Sequence, residues 1–128
     1  MARTLYGEAR GEIRLGIEAV ACVILNRVKS SRFPKTITGV CLQPYQFSCW
    51  NKNDPNRAKI INLQPDADPQ IKMCMDVAQK AEAGAVNDPT DGATHYHAVG
   101  IARPSWVTNS PGATSITIGR HIFYKGIR

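Results

Sequence analysis

The sequence predicts a single α+β domain over residues 1–128, a helical body followed by a small C-terminal antiparallel sheet. Three observations carry that reading. Apolar residues recur at helical spacing through the first two thirds of the chain. Two Asp-Pro pairs, at 54–55 and 68–69, each set a capping acid before a proline suited to a first helical turn. From residue 93 the pattern changes to strand alternation broken by glycine. Helices first and strands last is the α+β order, and 128 residues with 43% hydrophobic content suit one core.

The opening segment YGEARGE (6–12) holds Glu8 and Glu12 four residues apart, each preceded by a glycine. Glycine inside a helix costs about 1 kcal/mol relative to alanine. The expectation is that Gly7 and Gly11 clear space beside both acids for a ligand, and that a first helix breaks near Gly11 with Glu8 in its last turn. A carboxyl facing a partly apolar cleft there would have a raised pKa and serve as a general acid. Next, Ile13, Ile17, Val20, Ala21, Ile24, Leu25 and Val28 form the clearest helical stripe. They predict a core helix over Ile13–Ser30, stopped by Pro34. A short helix follows over Thr36–Leu42. Asp54-Pro55 opens another helix, and Asp68-Pro69 opens one that runs to about Ala83 with Gly84 as its C-cap. The stripe of that helix is Ile71, Met75, Val77, Ala78 and Ala81. Finally, ATHYHAV (93–99) reads as a strand, and SITIGRHIFYK (115–125) as a hairpin turning near Gly119.

The net charge of +6 and a pI near 9.4 suit a polyanionic partner. Yet Arg10, Arg14, Arg27, Lys29, Arg32, Lys35 and Lys52 form no run, and no nucleic-acid motif accompanies them. A basic solvated surface is the expectation, not a nucleic-acid groove. No stretch approaches the roughly 18 apolar residues of a membrane span, and no N-terminal signal-peptide pattern is present. Of the four cysteines, Cys22 and Cys74 fall in helical patterns and read as small buried hydrophobes. Cys41 and Cys49 flank CLQPYQFSC; a bridge there would stabilise the loop by about 2–3 kcal/mol in an oxidising compartment.

The carboxylates sort by elimination. Asp54 and Asp68 are helix caps, Asp66 and Asp88 lie in proline-rich turns, Asp76 and Glu82 have lysines nearby, and Glu18 pairs with Arg14 at i,i+4. Glu8, Glu12 and, more weakly, Asp91 remain. On periodicity alone, Glu8 and Glu12 read equally as a solvated face beside Arg10 and Arg14; the glycines favour a site. A rival constellation is His95, His97 and His121, three histidines able to hold zinc if they converge, with packing or surface histidines as the plainer reading. There is no nucleophile elbow, phosphate loop or H-E-x-x-H.

Several segments taken together resemble one family. ARTLYGEARGE, AVACVILNRVKSSRFPKTITGV, QPYQFSCW, DPTDGATHYH with PSW, and IGRHIFY resemble, in order, the SleB-like cell-wall hydrolases, the spore-cortex lytic enzymes with their bacterial and phage relatives. The resemblance implies a lysozyme-like fold and cleavage of the β-1,4 bond between N-acetylmuramic acid and N-acetylglucosamine in peptidoglycan. It implies a lytic transglycosylase, with no cofactor or metal, whose product ends in a 1,6-anhydro sugar. Its catalytic acid would be Glu8, with Glu12 the runner-up and a substrate contact. Gln46, Phe47 and Tyr96 would line the cleft, Tyr96 as a donor near the acid, and Trp106 would be a sugar platform. Phe47 and Trp106 equally fit core packing. The expected partner is the glycan strand, met by a monomer at the bacterial wall. Hydrolytic muramidase chemistry at the same site, a zinc wall peptidase, and a non-catalytic wall-binding module are the alternatives.

Overall fold

The computed structural model describes residues 1–128. The helices are α1 (Ala2–Ala9), α2 (Arg14–Lys29), α3 (Ile37–Leu42), α4 (Pro55–Ile61), α5 (Pro69–Glu82) and the short α6 (Ser105–Thr108), with a 3₁₀ turn at Ser48–Trp50. The strands are β1 (His95–Ala98), β2 (Thr114–Ile118) and β3 (His121–Lys125). They form an antiparallel sheet in the order β1-β3-β2, with Tyr96 opposite Phe123 and Ile116 opposite Phe123 on the other side.

The local causes are those the sequence announces. Gly11 adopts φ +86°, a left-handed conformation that favours glycine, and so separates α1 from α2. Asp54 and Asp68 accept hydrogen bonds from Asn56 N and Ile71 N, and Thr36 from Gly39 N, so each helix begins at a satisfied cap. Gly119, at φ +58°, makes the tight turn between β2 and β3. The 3₁₀ turn and α6 carry no comparable sequence signal.

Helix α2 is the spine of the body. Ile17, Val20, Val23 and Ile24 have no exposed surface, and α1, α3 and α5 pack around them. Each such side chain contributes about 1.5–3 kcal/mol through burial. The sheet lays one face, carrying Phe123 and Ile118, against this body. Its other face carries Tyr124 and is covered by Trp106, Val107 and Ile127. No helix is long and apolar enough to cross a membrane.

One question that the sequence leaves open is answered, and one expectation changes. All four cysteines are buried free thiols, so Cys41 and Cys49 are unbridged. Burial, followed by nearby acids, pushes the Cys22 thiol up to about 12 and the Cys74 thiol up to about 11, as inert packing groups. Gly7 does not clear space for a ligand. A Cβ there would lie 2.7 Å from Cys49 Sγ, so the glycine lets the 3₁₀ turn press directly against α1.

Candidate active site

Glu8 sits in the last turn of α1, half-buried. Its Oε1 accepts a 2.7 Å hydrogen bond from the Tyr96 hydroxyl, and its Oε2 a 3.3 Å bond from the Cys49 amide. The second bond depends on Gly7: only a residue without a side chain lets Cys49 come that close to the helix. Burial of the Tyr96 hydroxyl, then the adjacent Glu8 charge and their hydrogen bond, hold the phenol well above its ordinary pKa. Tyr96 is therefore a neutral, permanent donor aimed at the acid. Both of the acid's hydrogen-bond donors are neutral groups.

Glu8 lies in a trough. On one side is a cavity of about 420 Å³, bordered by Arg10, Glu12, Val99 and Arg120. On the other is one of about 360 Å³, bordered by Gln46, Ser48, Arg27 and Ile101. Glu8, Ala98 and His121 belong to both, so the two are one groove with Glu8 at its middle. Val99 and Ile101 are 51% and 54% exposed, apolar side chains at the groove rim.

Glu12, expected as a substrate contact, is tied down. Its side chain is 5% exposed; Oε1 accepts from Arg120 N at 2.9 Å and Oε2 from Arg120 Nε at 3.2 Å. Burial raises its pKa, but the Arg120 hydrogen bonds and nearby positive charge outweigh that and hold the carboxyl below the usual range. His121 Nδ1 lies 3.1 Å from Oε1 without hydrogen-bond alignment. Burial lowers the His121 pKa further than Glu12 and Glu8 raise it, so the ring is neutral at pH 7. A Cβ on Gly119 would come within 3.2–3.3 Å of the Glu12 carboxylate. Glu12 thus bolts the β2–β3 turn to the start of α2.

The remaining expected site residues divide. Gln46 is exposed at the groove and accepts a 3.4 Å bond from Arg27 Nη1. Phe47 is 2% exposed and belongs to the core, so its cleft-lining expectation is replaced by packing. Trp106 packs against His95 and His97, tilted and edge-on, at centroid distances of 5.2 and 5.8 Å. That is the sheet face away from Tyr96, so Trp106 is no platform beside Glu8. Asp91 is exposed in a turn, 3.6 Å from Lys125, and remote from the groove residues. His95 and His97 share one face while His121 meets Tyr96 edge-to-face on the other, 5.1 Å between ring centres. The three imidazoles do not converge, and no group of three or more potential ligands is arranged for a metal ion.

Sequence reasoning missed Arg27, counted above as a surface charge. It is 4% exposed, donates from Nε to Thr94 O at 2.7 Å, and lies 4.8 and 5.2 Å from the Phe33 and Phe47 ring centres. Burial lowers its pKa from the ordinary arginine value, with the nearby acidic groups Tyr96 and Glu8 opposing, yet it remains a cation. The signal was available: Arg27 falls three residues after Ile24 and seven after Val20, on the apolar stripe of α2.

Residues 11–124 match the family model of the cell wall hydrolases. The chain is 39% identical over 127 residues to a spore cortex-lytic enzyme of Bacillus cereus, covering 98% of this chain and 42% of that protein. It is likewise 39% identical over 126 residues to the spore cortex-lytic enzyme of Halalkalibacterium halodurans, covering 96% of this chain and 33% of that one. It therefore spans less than half the length of these relatives. The family model begins just after Glu8, whereas an alignment covering 98% of the chain includes it. Among solved structures, the catalytic domain of a germination-specific lytic transglycosylase SleB from Bacillus anthracis superposes with a TM-score of 0.75 at 36% identity. That match covers 98% of this chain and 90% of that domain. The SleB catalytic domain of Bacillus cereus gives the same score and identity, covering 86% of its chain. The fold is thus the α+β, lysozyme-like one expected from the sequence.

Proposed function

Since the chain belongs to the cell wall hydrolase family, we propose that it cleaves peptidoglycan glycan strands at the β-1,4 bond between N-acetylmuramic acid and N-acetylglucosamine, with Glu8 as the acid and then the base. The observation that carries this reading is the setting of one carboxylate. Glu8 is held by the Tyr96 hydroxyl and the Cys49 amide in the middle of a groove, while the other nearby acid, Glu12, is consumed by Arg120.

A pair of free carboxylates flanking the bond is what two-carboxylate glycosidases require. With one, lytic transglycosylase chemistry is the economical solution. Protonated Glu8 gives its proton to the glycosidic oxygen as the C1–O bond breaks. The carboxylate so formed is stabilised by the Tyr96 and Cys49 donors already in place, which need no reorganisation. It then takes the proton of the C6 hydroxyl of the same sugar as O6 bonds to C1, closing a 1,6-anhydro ring. The substrate supplies its own nucleophile, and Glu8 ends protonated, ready for another cycle. Glu12 acts by holding the β2–β3 turn, Gln46 and the rim residues Val99 and Ile101 contact sugar, and the chain works as a monomer at the wall.

The test is mass spectrometry of fragments released from purified peptidoglycan by the parent chain and by Glu8→Gln. Fragments one water lighter than hydrolytic products, lost in the variant, are expected. Full-mass fragments that depend on Glu8 would make it a muramidase, and fragments cut at peptide bonds would overturn the reading.

A further inference from the structure

Outside the groove, the loop after α3 carries a feature that neither packing nor local preference explains. Tyr45 is 86% exposed, so its ring contributes almost no burial, and its backbone stands at φ +64°, a conformation L-residues adopt at a cost. It borders a cavity of about 440 Å³ together with Pro44, Trp50, Asn51, Lys52 and Asn53. Trp50 is fixed by a 2.9 Å hydrogen bond from its indole nitrogen to Thr4 Oγ1, so this wall is rigid. The chemistry is that of a sugar site. An exposed aromatic face accepts the C–H face of a pyranose, side-chain amides can pair with hydroxyl and acetamido groups, and an ammonium matches the carboxylates of an acidic wall polymer.

The same loop connects this cavity to the acid. Gln46 and Ser48 line the Glu8 groove, while Tyr45 and Trp50, one and two residues away from them, line the outer cavity. A polymer lying in the groove would reach the outer cavity by crossing one loop. We propose that this cavity is a second saccharide site, in which Tyr45 stacks on a sugar of the same glycan strand at a distance from the bond being cut. The inference rests on the peptidoglycan reading above.

The test uses the Glu8→Gln chain, sedimented with purified insoluble peptidoglycan, with and without Tyr45→Ala or Tyr45→Gly. Both Tyr45 substitutions are expected to weaken binding five- to tenfold. Glycine relaxes the φ +64° backbone, so Tyr45→Gly should melt at or above the parent's temperature while binding less. In the active chain, Tyr45→Ala should raise KM for polymeric peptidoglycan by a similar factor with kcat within twofold. Unchanged binding and KM in both variants would overturn the second site and leave the role of Glu8 standing. Failure of the parent chain to release glycan fragments would instead remove the reading on which it rests.

Discussion

The two glutamates of YGEARGE, four residues apart, meet different surroundings. At Glu8 the chain is the last turn of α1, pressed on the 3₁₀ turn, with an open groove beyond and two neutral donors behind. At Glu12 it is the link into α2, closed over by the β2–β3 turn and paired with Arg120. Residue type, spacing and flanking glycines are alike. The difference lies in what the later chain brings to each: Tyr96 and Cys49 hold one acid at the open groove, and Arg120 satisfies the other as a strut. Identical local sequence therefore does not imply identical chemistry; the long-range partners decide.

That contrast can be broken from behind through Arg27, which supports the Glu8 side by tying α2 to Thr94 just ahead of Tyr96. Arg27→Leu leaves the half-buried Thr94 carbonyl and Gln46 without their donor. It should cost about 3 kcal/mol in a urea titration and lower activity as Tyr96 shifts. The next effect isolates the donor itself. Tyr96→Phe keeps the ring but removes the hydroxyl on Oε1, and kcat should fall about 10- to 100-fold with the unfolding midpoint little changed. A stability loss with intact turnover would make Tyr96 a packing residue.

The Glu12 side should respond in the opposite sense. Gly119→Ala places a Cβ both in a left-handed conformation and against the Glu12 carboxylate, so about 1–2 kcal/mol of stability should go, measured by denaturant midpoint. The smallest effect is acid sensitivity on the sheet's outer face. Burial, then the charges of Arg27 and Arg32, lower the His95 pKa from 6.5 to about 4. Between those values the unfolded chain takes up a proton that the folded chain refuses, so stability is full above pH 6.5 and falls as pH drops toward 4. Partial exposure reduces the effect to about 1 kcal/mol. It should appear between pH 6.5 and 5, where carboxylates are still ionised, and shrink in His95→Gln to the part that His121, whose pKa is also lowered by burial, contributes.

The α+β order was legible because its signals are local. Asp-Pro caps, the α2 stripe and the Gly119 turn each act within a few residues, and the observed helices begin within a residue or two of the expected places. The residues alone shortlist Glu8 and Glu12 and the family resemblance ranks Glu8 first, but their different surroundings rest on contacts 88 and 108 residues away. The function of Gly7 was misjudged for the same reason, since its partner Cys49 is supplied by a turn with no sequence signature. Phe47 and Trp106 were ambiguous because aromatics serve cores and sugar sites with the same surface. Arg27 was readable as a charge on an apolar stripe, yet its partners, the Thr94 carbonyl and Gln46, could not be named without coordinates.

The central claim, that Glu8 reacts and Glu12 holds, is tested most directly by measuring kcat and the denaturation midpoint of Glu8→Gln and Glu12→Gln side by side. The account predicts that Glu8→Gln loses turnover by about a thousandfold or more while folding as the parent does. It predicts that Glu12→Gln keeps turnover within about tenfold but loses about 1–2 kcal/mol of stability as its charge-assisted bonds to Arg120 weaken. A Glu8→Gln chain that still cuts glycan, or a Glu12→Gln chain that is stable but inactive, would contradict it.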